Sequence, residues 1–287
     1  MAVQLQSGRC ARISRGVVSS IDITHRCNLS CRHCYFRLQK HMSELGDDEW
    51  VTRVGRLMEE DGTRLLIILG GEPLLRRDLC VKINSMLPIW LVTNGTLPIP
   101  EVKGRVFISI DGTRSMHDWV RGRGTYDVIV SNVEEYGGPF IVTTVLNRMN
   151  YKVMPDLVDE WVKRGAEAFW ISLHTPPPYD IALTGRQRAE CIAMLRMLLH
   201  EYGMDVMWLT EAMLDSMLSG DLTGLCGCRE LVVSLDPMGR VKVPCEMAGQ
   251  DCSMCGLHIA HLLTCVLAGD PDSARLAKVM VGGDVLG

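Results

Sequence analysis

The sequence predicts an α/β fold: a parallel sheet of six strand-and-helix units curled into a partial (β/α)6, TIM-like barrel, followed by a small hairpin and helical domain. Three observations predict it. Short apolar runs alternate with amphipathic stretches from residue 18 to about residue 203. One run, "RLLIIL", is apolar almost throughout, as a strand covered on both faces must be. The runs end in "THRC", "GGEP", "TNG", "DG", "LN" and "HTPPP". These polar, Gly-rich or Cys-bearing pieces stand where parallel α/β architectures collect their chemistry, at the C-terminal ends of strands.

Each element follows from local pattern. "VVSSIDIT" predicts the first strand, followed by a cysteine-bearing loop and a helix over about residues 44–60. "RLLIIL" is the second strand; "GGEP" ends it and a helix over about 76–86 follows. "IWLVT" and "RVFISI" are the third and fourth strands, "YDVIVSNVEEY" a helix and "PFIVTTVL" the fifth strand. "MPDLVDEWVKRG" has helical spacing, with Gly165 placed to end it. "AFWISL" is the sixth strand, and the prolines of "HTPPPY" enforce an extended loop before the helix "GRQRAECIAMLRMLLHEYG". Crossovers between parallel strands are right-handed. Beyond residue 203 the character changes, which divides the chain into 1–203 and 204–287. There "LVVSL" and "RVKV", separated by "DPMG", predict a hairpin, and two helical stretches close the chain.

Composition narrows the function. A hydrophobic share of 47% over 287 residues supports a substantial core, and a net charge of −4 gives no bulk attraction to nucleic acid or anionic membrane. No apolar run reaches the roughly 18 residues of a membrane span. Arg9, Arg12 and Arg15 stand near the N-terminus without a continuous apolar stretch, so a cytoplasmic address is expected. The 17 methionines suit soft core packing or an adaptable apolar pocket.

In that setting 12 cysteines call for metal rather than disulfides. Cys27, Cys31 and Cys34 cluster in "CNLSCRHCY", and Cys226, Cys228, Cys245, Cys252, Cys255 and Cys265 cluster near the end, while Cys10, Cys80 and Cys191 stand alone. Three thiolates complete neither a four-ligand zinc site nor an all-cysteine [4Fe–4S] cube. His33, between Cys31 and Cys34, is a fourth zinc ligand only in an awkward geometry. The other reading is a cube with one iron left open for a substrate or cofactor.

"CNLSCRHCY", with its CxxxCxxC spacing and Tyr35 directly after the third cysteine, resembles the radical S-adenosylmethionine (SAM) superfamily. Later landmarks follow in order at successive strand ends. The resemblance implies that Cys27, Cys31 and Cys34 hold a [4Fe–4S] cluster whose open iron binds SAM. Gly70, Gly71, Glu72 and Pro73 are similar to the motif that receives SAM's amino group. Thr93, Asn94 and Gly95 stand at the next strand end. Ser109, Asp111 and Arg121 would meet the ribose or carboxylate, and Asn147 is a further cofactor contact. The implied activity is reductive cleavage of SAM to a 5′-deoxyadenosyl radical that takes hydrogen from a substrate carbon, with an electron donor such as flavodoxin or ferredoxin.

"CGCRELVVSLDPMGRVKVPC" followed by "DCSMC" resembles the SPASM or twitch extension of that superfamily, which holds an auxiliary [4Fe–4S] cluster. The implied ligands are Cys226 or its neighbour Cys228, Cys245, Cys252 and Cys255. The interval from the turn glycine to the second cysteine is one residue longer than the family's, and a zinc site from the same residues is the alternative. An auxiliary cluster either accepts an electron from the substrate radical or binds substrate through an open iron.

His117, Asp118, His174 and Tyr179 are expected in loops crowning the barrel, as candidates for general-base work. Cys80, Cys191 and Cys265 are candidate hydrogen donors, or else small buried hydrophobes, and His258 and His261 are read as packing or solvated. The expected substrate is a peptide side chain undergoing thioether, carbon–carbon or epimerising chemistry. The alternative is a small molecule: a sugar, aminocyclitol, nucleoside, lipid or tetrapyrrole. The short segment before Cys27 leaves no room for a fused peptide-recognition domain, so such a domain would be a separate protein. From another class, a non-catalytic zinc or electron-transfer protein is the rival.

Overall fold

A computed structural model describes residues 15–38, 43–243, 245, 247 and 250–282. Cys10, Arg9 and Arg12, and Pro244 before Cys245, lie outside the described residues. In chain order come β1 (Val18–Asp22), α1 (Asp47–Glu60), β2 (Leu65–Leu69), α2 (Arg77–Met86), β3 (Ile89–Thr93), β4 (Arg105–Ser109) and α3 (Arg114–Arg121). Then follow α4 (Thr125–Tyr136), β5 (Phe140–Leu146), α5 (Met154–Lys163), β6 (Ala166–Leu173) and α6 (Gly185–Tyr202). The last part holds α7 (Met204–Met207), α8 (Glu211–Ser219), α9 (Gly227–Leu231), β7 (Val232–Leu235), α10 (His258–Leu267) and α11 (Pro271–Val281). All six expected strands are present. Between β3 and β4 the described residues form no helix, and Pro98 and Pro100 in that connection explain why.

The sheet runs β6-β5-β4-β3-β2-β1-β7, every neighbouring pair parallel. Its outer face buries Ile21, Leu66, Ile68 and Leu91 against Trp50, Val54 and Leu57 of α1 and Leu79, Cys80 and Ile83 of α2. Each fully buried Leu or Ile of this kind contributes about 1.5–3 kcal/mol. A second core runs through the barrel to α5, α6 and the C-terminal helices. There Trp161 is fully buried, with Tyr126 and Phe140 edge-on to it. Helix α6 begins where Thr184 and Gln187 cap each other reciprocally: Thr184 Oγ1 accepts from the Gln187 amide and Gln187 Oε1 from the Thr184 amide.

The predicted hairpin takes a different form. Its first arm, β7, pairs in parallel with β1, Val18 opposite Val232, and so extends the barrel sheet. The second arm meets the first only around the turn, through the Leu235–Val241 bridge and the amides of Asp236 and Lys242 donating to Arg240 and Ser234. Burial decides this, because Val232 to Leu235 are all buried and complete the wall beside β1. The C-terminal part is also knit to the barrel by Leu173 N–H donating to Gly256 O.

Candidate functional site

The loop after β1 is tied to its neighbours at several points. Thr24 Oγ1 and the His25 amide donate to Glu44 Oε1 at 2.7 and 2.8 Å. The amides of Gly71 and Glu72 donate to the carbonyls of Thr24 and Arg26, both at 2.8 Å. Gly71 has no room for a side chain, since a Cβ would stand 2.2 Å from the Arg26 oxygen. Gly70, at φ 137°, turns the chain where an L side chain is strained and a Cβ would press on Thr24 O. Further along, Asn28 donates to Thr96 Oγ1 and accepts from Asn94 Nδ2. Arg32 binds α3, its amide donating to Val120 O and its guanidinium lying 4.5 Å from the Trp119 ring centre.

This anchoring places Cys27, Cys31 and Cys34 on one cavity of about 240 Å³ at the C-terminal ends of the strands. Tyr35, Gly70, Gly71, Thr93, Asn94, Ser109, Arg121 and His174 line the same cavity. So does His33, with Nε2 3.7 Å from Asp111 Oδ2. Below this polar mouth the lining turns aromatic: Trp90, Phe107 and Trp170 pack at centroid separations of 5.2–5.9 Å. The sequence reading did not single out these rings; their inward alternation with Val92 and Ser109 was the available signal.

Several expected contacts stand behind the cavity wall. Glu72 is fully buried, its carboxylate accepting from Leu74 N, Thr93 Oγ1 and Asn94 N at 2.7–2.9 Å. It braces the ends of β2 and β3, and with Pro73 it is absent from the lining. Asp111, also fully buried, accepts from Arg121 Nε at 2.5 Å and from Val145 N at 2.9 Å. Burial alone would raise its pKa; the Arg121 charge, with His33 and the Val145 amide, instead holds it down to about 2. Asn147 turns away into a local turn, Oδ1 accepting from Met149 N.

The expected general bases separate. His117 and Asp118 do not lie in crown loops: both belong to α3. His117 is fully buried, its Nδ1 accepting from the Asp111 amide, and burial followed by the Arg121 charge pushes its pKa down to about 4. Asp118 caps the start of α4, accepting from Gly124 N and Tyr126 N. Tyr179 is exposed, its hydroxyl donating to Asp251. His174 lines the cavity, with Nε2 2.9 Å from Pro178 O, and burial lowers its pKa.

A second group of thiols gathers at α9 and the loops around it. Cys228 and Cys245 hydrogen-bond the Cys226 thiol and pull its pKa down. Burial raises the pKa values of Cys252 and Cys255, and the nearby Cys226 charge adds to the shift. Cys80 and Cys191 are fully buried and Cys265 nearly so. His258 stacks on Trp170 and His261 bonds Ser216 and the Cys255 carbonyl, so both pack and neither is solvated. Among the described residues, no three His, Cys, Asp or Glu side chains converge tightly enough to hold a single metal ion. Nor is any described helix long and apolar enough to cross a membrane.

The donor set around the first cavity, three thiols beside a glycine cradle and a buried guanidinium, suits a thiolate-bound cluster with an anionic, amine-bearing ligand. A profile of the radical SAM superfamily matches residues 21–160. The probable GTP 3′,8-cyclase of Methanopyrus kandleri is 34% identical over 158 residues, covering 49% of this chain and 51% of that one. The sporulation killing factor maturation protein SkfB of Bacillus subtilis is 28% identical over 167 residues, covering 52% of this chain and 40% of SkfB. The chain thus spans about half the length of the curated relatives it matches. The solved structure of native anSMEcpe with bound AdoMet shares the fold at TM-score 0.66 and 19% identity, covering 90% of this chain and 82% of that one. The cofactors of the superfamily are a [4Fe–4S] cluster and SAM. In its cysteine loop and through the profile matched over residues 21–160, the chain is similar to the radical SAM superfamily of enzymes, and its barrel has the fold of a solved AdoMet-bound structure.

Proposed function

We propose that this chain reductively cleaves SAM and uses the radical to take hydrogen from a substrate carbon, the substrate being a peptide side chain. One observation carries the reading: Cys27, Cys31, Cys34, Gly70, Gly71 and Arg121 face one cavity. When bound, the cluster and SAM supply one electron and a 5′-deoxyadenosyl radical. The chain's own residues hold and aim. Cys27, Cys31 and Cys34 are the cluster's thiolate ligands, and Tyr35 and Asn94 flank them. The backbone at Gly70 and Gly71 receives the ammonium of SAM, Arg121 receives its carboxylate, and Ser109 its ribose. Glu72 and Asp111 act one step back, Glu72 holding Thr93 and Asn94 and Asp111 holding Arg121, while Asn147 shapes the turn after β5. His174 is the base: with Nε2 donating to Pro178 O, its Nδ1 is left to accept a proton.

The residues after 203 form the auxiliary-cluster part, with Cys226, Cys245, Cys252 and Cys255 as ligands and Cys228 beside Cys226. When bound there, a cluster would supply an acceptor for the electron of a substrate radical. The likeness to SkfB supports a peptide substrate, presented with or without a separate recognition protein. The enclosed aromatic floor and the likeness to a GTP cyclase support a second reading, a small molecule. A flavodoxin or ferredoxin donor and a cytoplasmic address complete the proposal.

Anaerobically reconstituted protein tests it. The sample should be brown, and SAM should perturb the electron paramagnetic resonance (EPR) signal of its reduced cluster. Cys31→Ala should abolish 5′-deoxyadenosine formation, whereas Cys252→Ala should retain it and lose about half the iron. Colourless protein with stoichiometric zinc would overturn the reading. Stimulation of SAM cleavage by cysteine-bearing peptides, against GTP, separates the two substrate classes.

A further inference from the structure

Arg188, on α6, is a buried cation that no carboxylate among the described residues balances. Only 7% of the residue is exposed. Its guanidinium donates from Nε to Met217 O at 2.5 Å and from Nη2 to Cys255 O at 2.6 Å. Its ionisable neighbours include the thiols of Cys255 and Cys191 and the ring of His261, which its charge helps keep neutral. Burial pushes Cys191 up to about 12, which leaves it neutral. A guanidinium does not shed its proton, and a buried cation is strongly disfavoured unless an anion stands close.

The surroundings are shaped for this placement. Helix α8 ends at Gly220 with φ 74°, and a Cβ there would stand 2.6 Å from Arg188 Nη2. The Cys255 carbonyl also accepts from His261 Nε2 at 3.1 Å, and His261 Nδ1 in turn accepts from Ser216 Oγ at 2.7 Å. Two donors therefore converge on the backbone of one cysteine in the second thiol group.

We propose that Arg188 is the counter-charge of the second cluster and raises its reduction potential. This rests on the auxiliary-cluster reading above. A cube held by four thiolates is an anion, and it gains a further negative charge on accepting an electron. A fixed cation on the backbone of one ligand stabilises the reduced form more than the oxidised one, so the centre becomes the better acceptor. Arg188 does not touch substrate; it acts through Cys255.

The test uses the full chain with Cys27, Cys31 and Cys34 all changed to Ala, so that any remaining iron belongs to the second centre. Iron content and an EPR-monitored redox titration are compared for Arg188, Arg188→Met and Arg188→Lys. The expected result is a lower potential in Arg188→Met and a return toward the parent value in Arg188→Lys. Loss of iron from Arg188→Met but not from Arg188→Lys also supports the counter-charge, whereas loss from both overturns it in favour of a merely structural fork. Iron retained with an unmoved potential in Arg188→Met overturns this inference alone. A parent protein without iron removes the auxiliary cluster, and this inference with it.

Discussion

At Gly71, a single hydrogen in place of a methyl decides whether the cysteine loop can sit where it does. A Cβ would stand 2.2 Å from a backbone oxygen, which no side-chain rotation relieves. Gly71→Ala should therefore displace the loop, and iron counting after anaerobic reconstitution should show the first centre under-loaded while circular dichroism stays native. Asp111 is the corresponding charged position. Asp111→Asn at pH 7 strips Arg121 of its buried partner and should cost about 3–5 kcal/mol in urea unfolding. The folded pKa of Asp111, about 2, lies below the ordinary 3.8. Its stabilising contribution is thus complete above pH 3.8 and lost as pH falls through about 2. "GGEP" and "SIDG" were legible as pieces at strand ends. Which of their residues face the cavity was not, because the side chains of Glu72 and Asp111 turn on hydrogen bonds from distant strands.

Among the elements, the arm after β7 shows how a short segment is fixed by one ion pair. Lys242 Nζ lies 2.6 Å from Asp22 Oδ2, with side-chain exposures of 7% and 1%. Asp22 pairs in register with Leu69, a cavity-lining residue, so it stands on the inner side of β1. Lys242→Met should leave a buried, unpaired carboxylate and cost about 3–5 kcal/mol, while the double variant Asp22→Asn/Lys242→Met should recover most of it. Equilibrium unfolding of the two variants measures this, and equal losses in both would show that the pair does not fix the arm. The sequence showed a turn at "DPMG" and strand-forming runs on either side. It held no sign that the first run would join β1, because a parallel partner more than two hundred residues away leaves no local pattern.

Taken whole, the molecule buries neutral histidines far from its surface. His117 and His258 are fully buried, and burial drives their pKa values from 6.5 down to about 4 and about 3. For His117 the neighbouring charges divide, Arg121 and His33 lowering the value while Asp111 and Asp118 raise it. For His258 the Ile171 carbonyl opposes the shift. Between pH 6.5 and about 4 the unfolded chain binds protons that the folded one refuses. Stability should thus be full above pH 6.5 and fall by on the order of 1 kcal/mol per pH unit for each histidine below it. Melting temperatures at pH 7.5 and pH 5.0 check this; a higher value at pH 5.0 would contradict it.

The six strands of the barrel, its parallel order and the cysteine loop were determined by the sequence, because hydrophobic period and ligand spacing are local properties of a chain. The tertiary structure alone decided that Glu72 and Asp111 brace the site from behind, that His117 is buried, that β7 joins the sheet, and that Arg188 lies on Cys255. Each of these depends on burial and on charge partners remote in sequence, and those come into contact only when the chain folds.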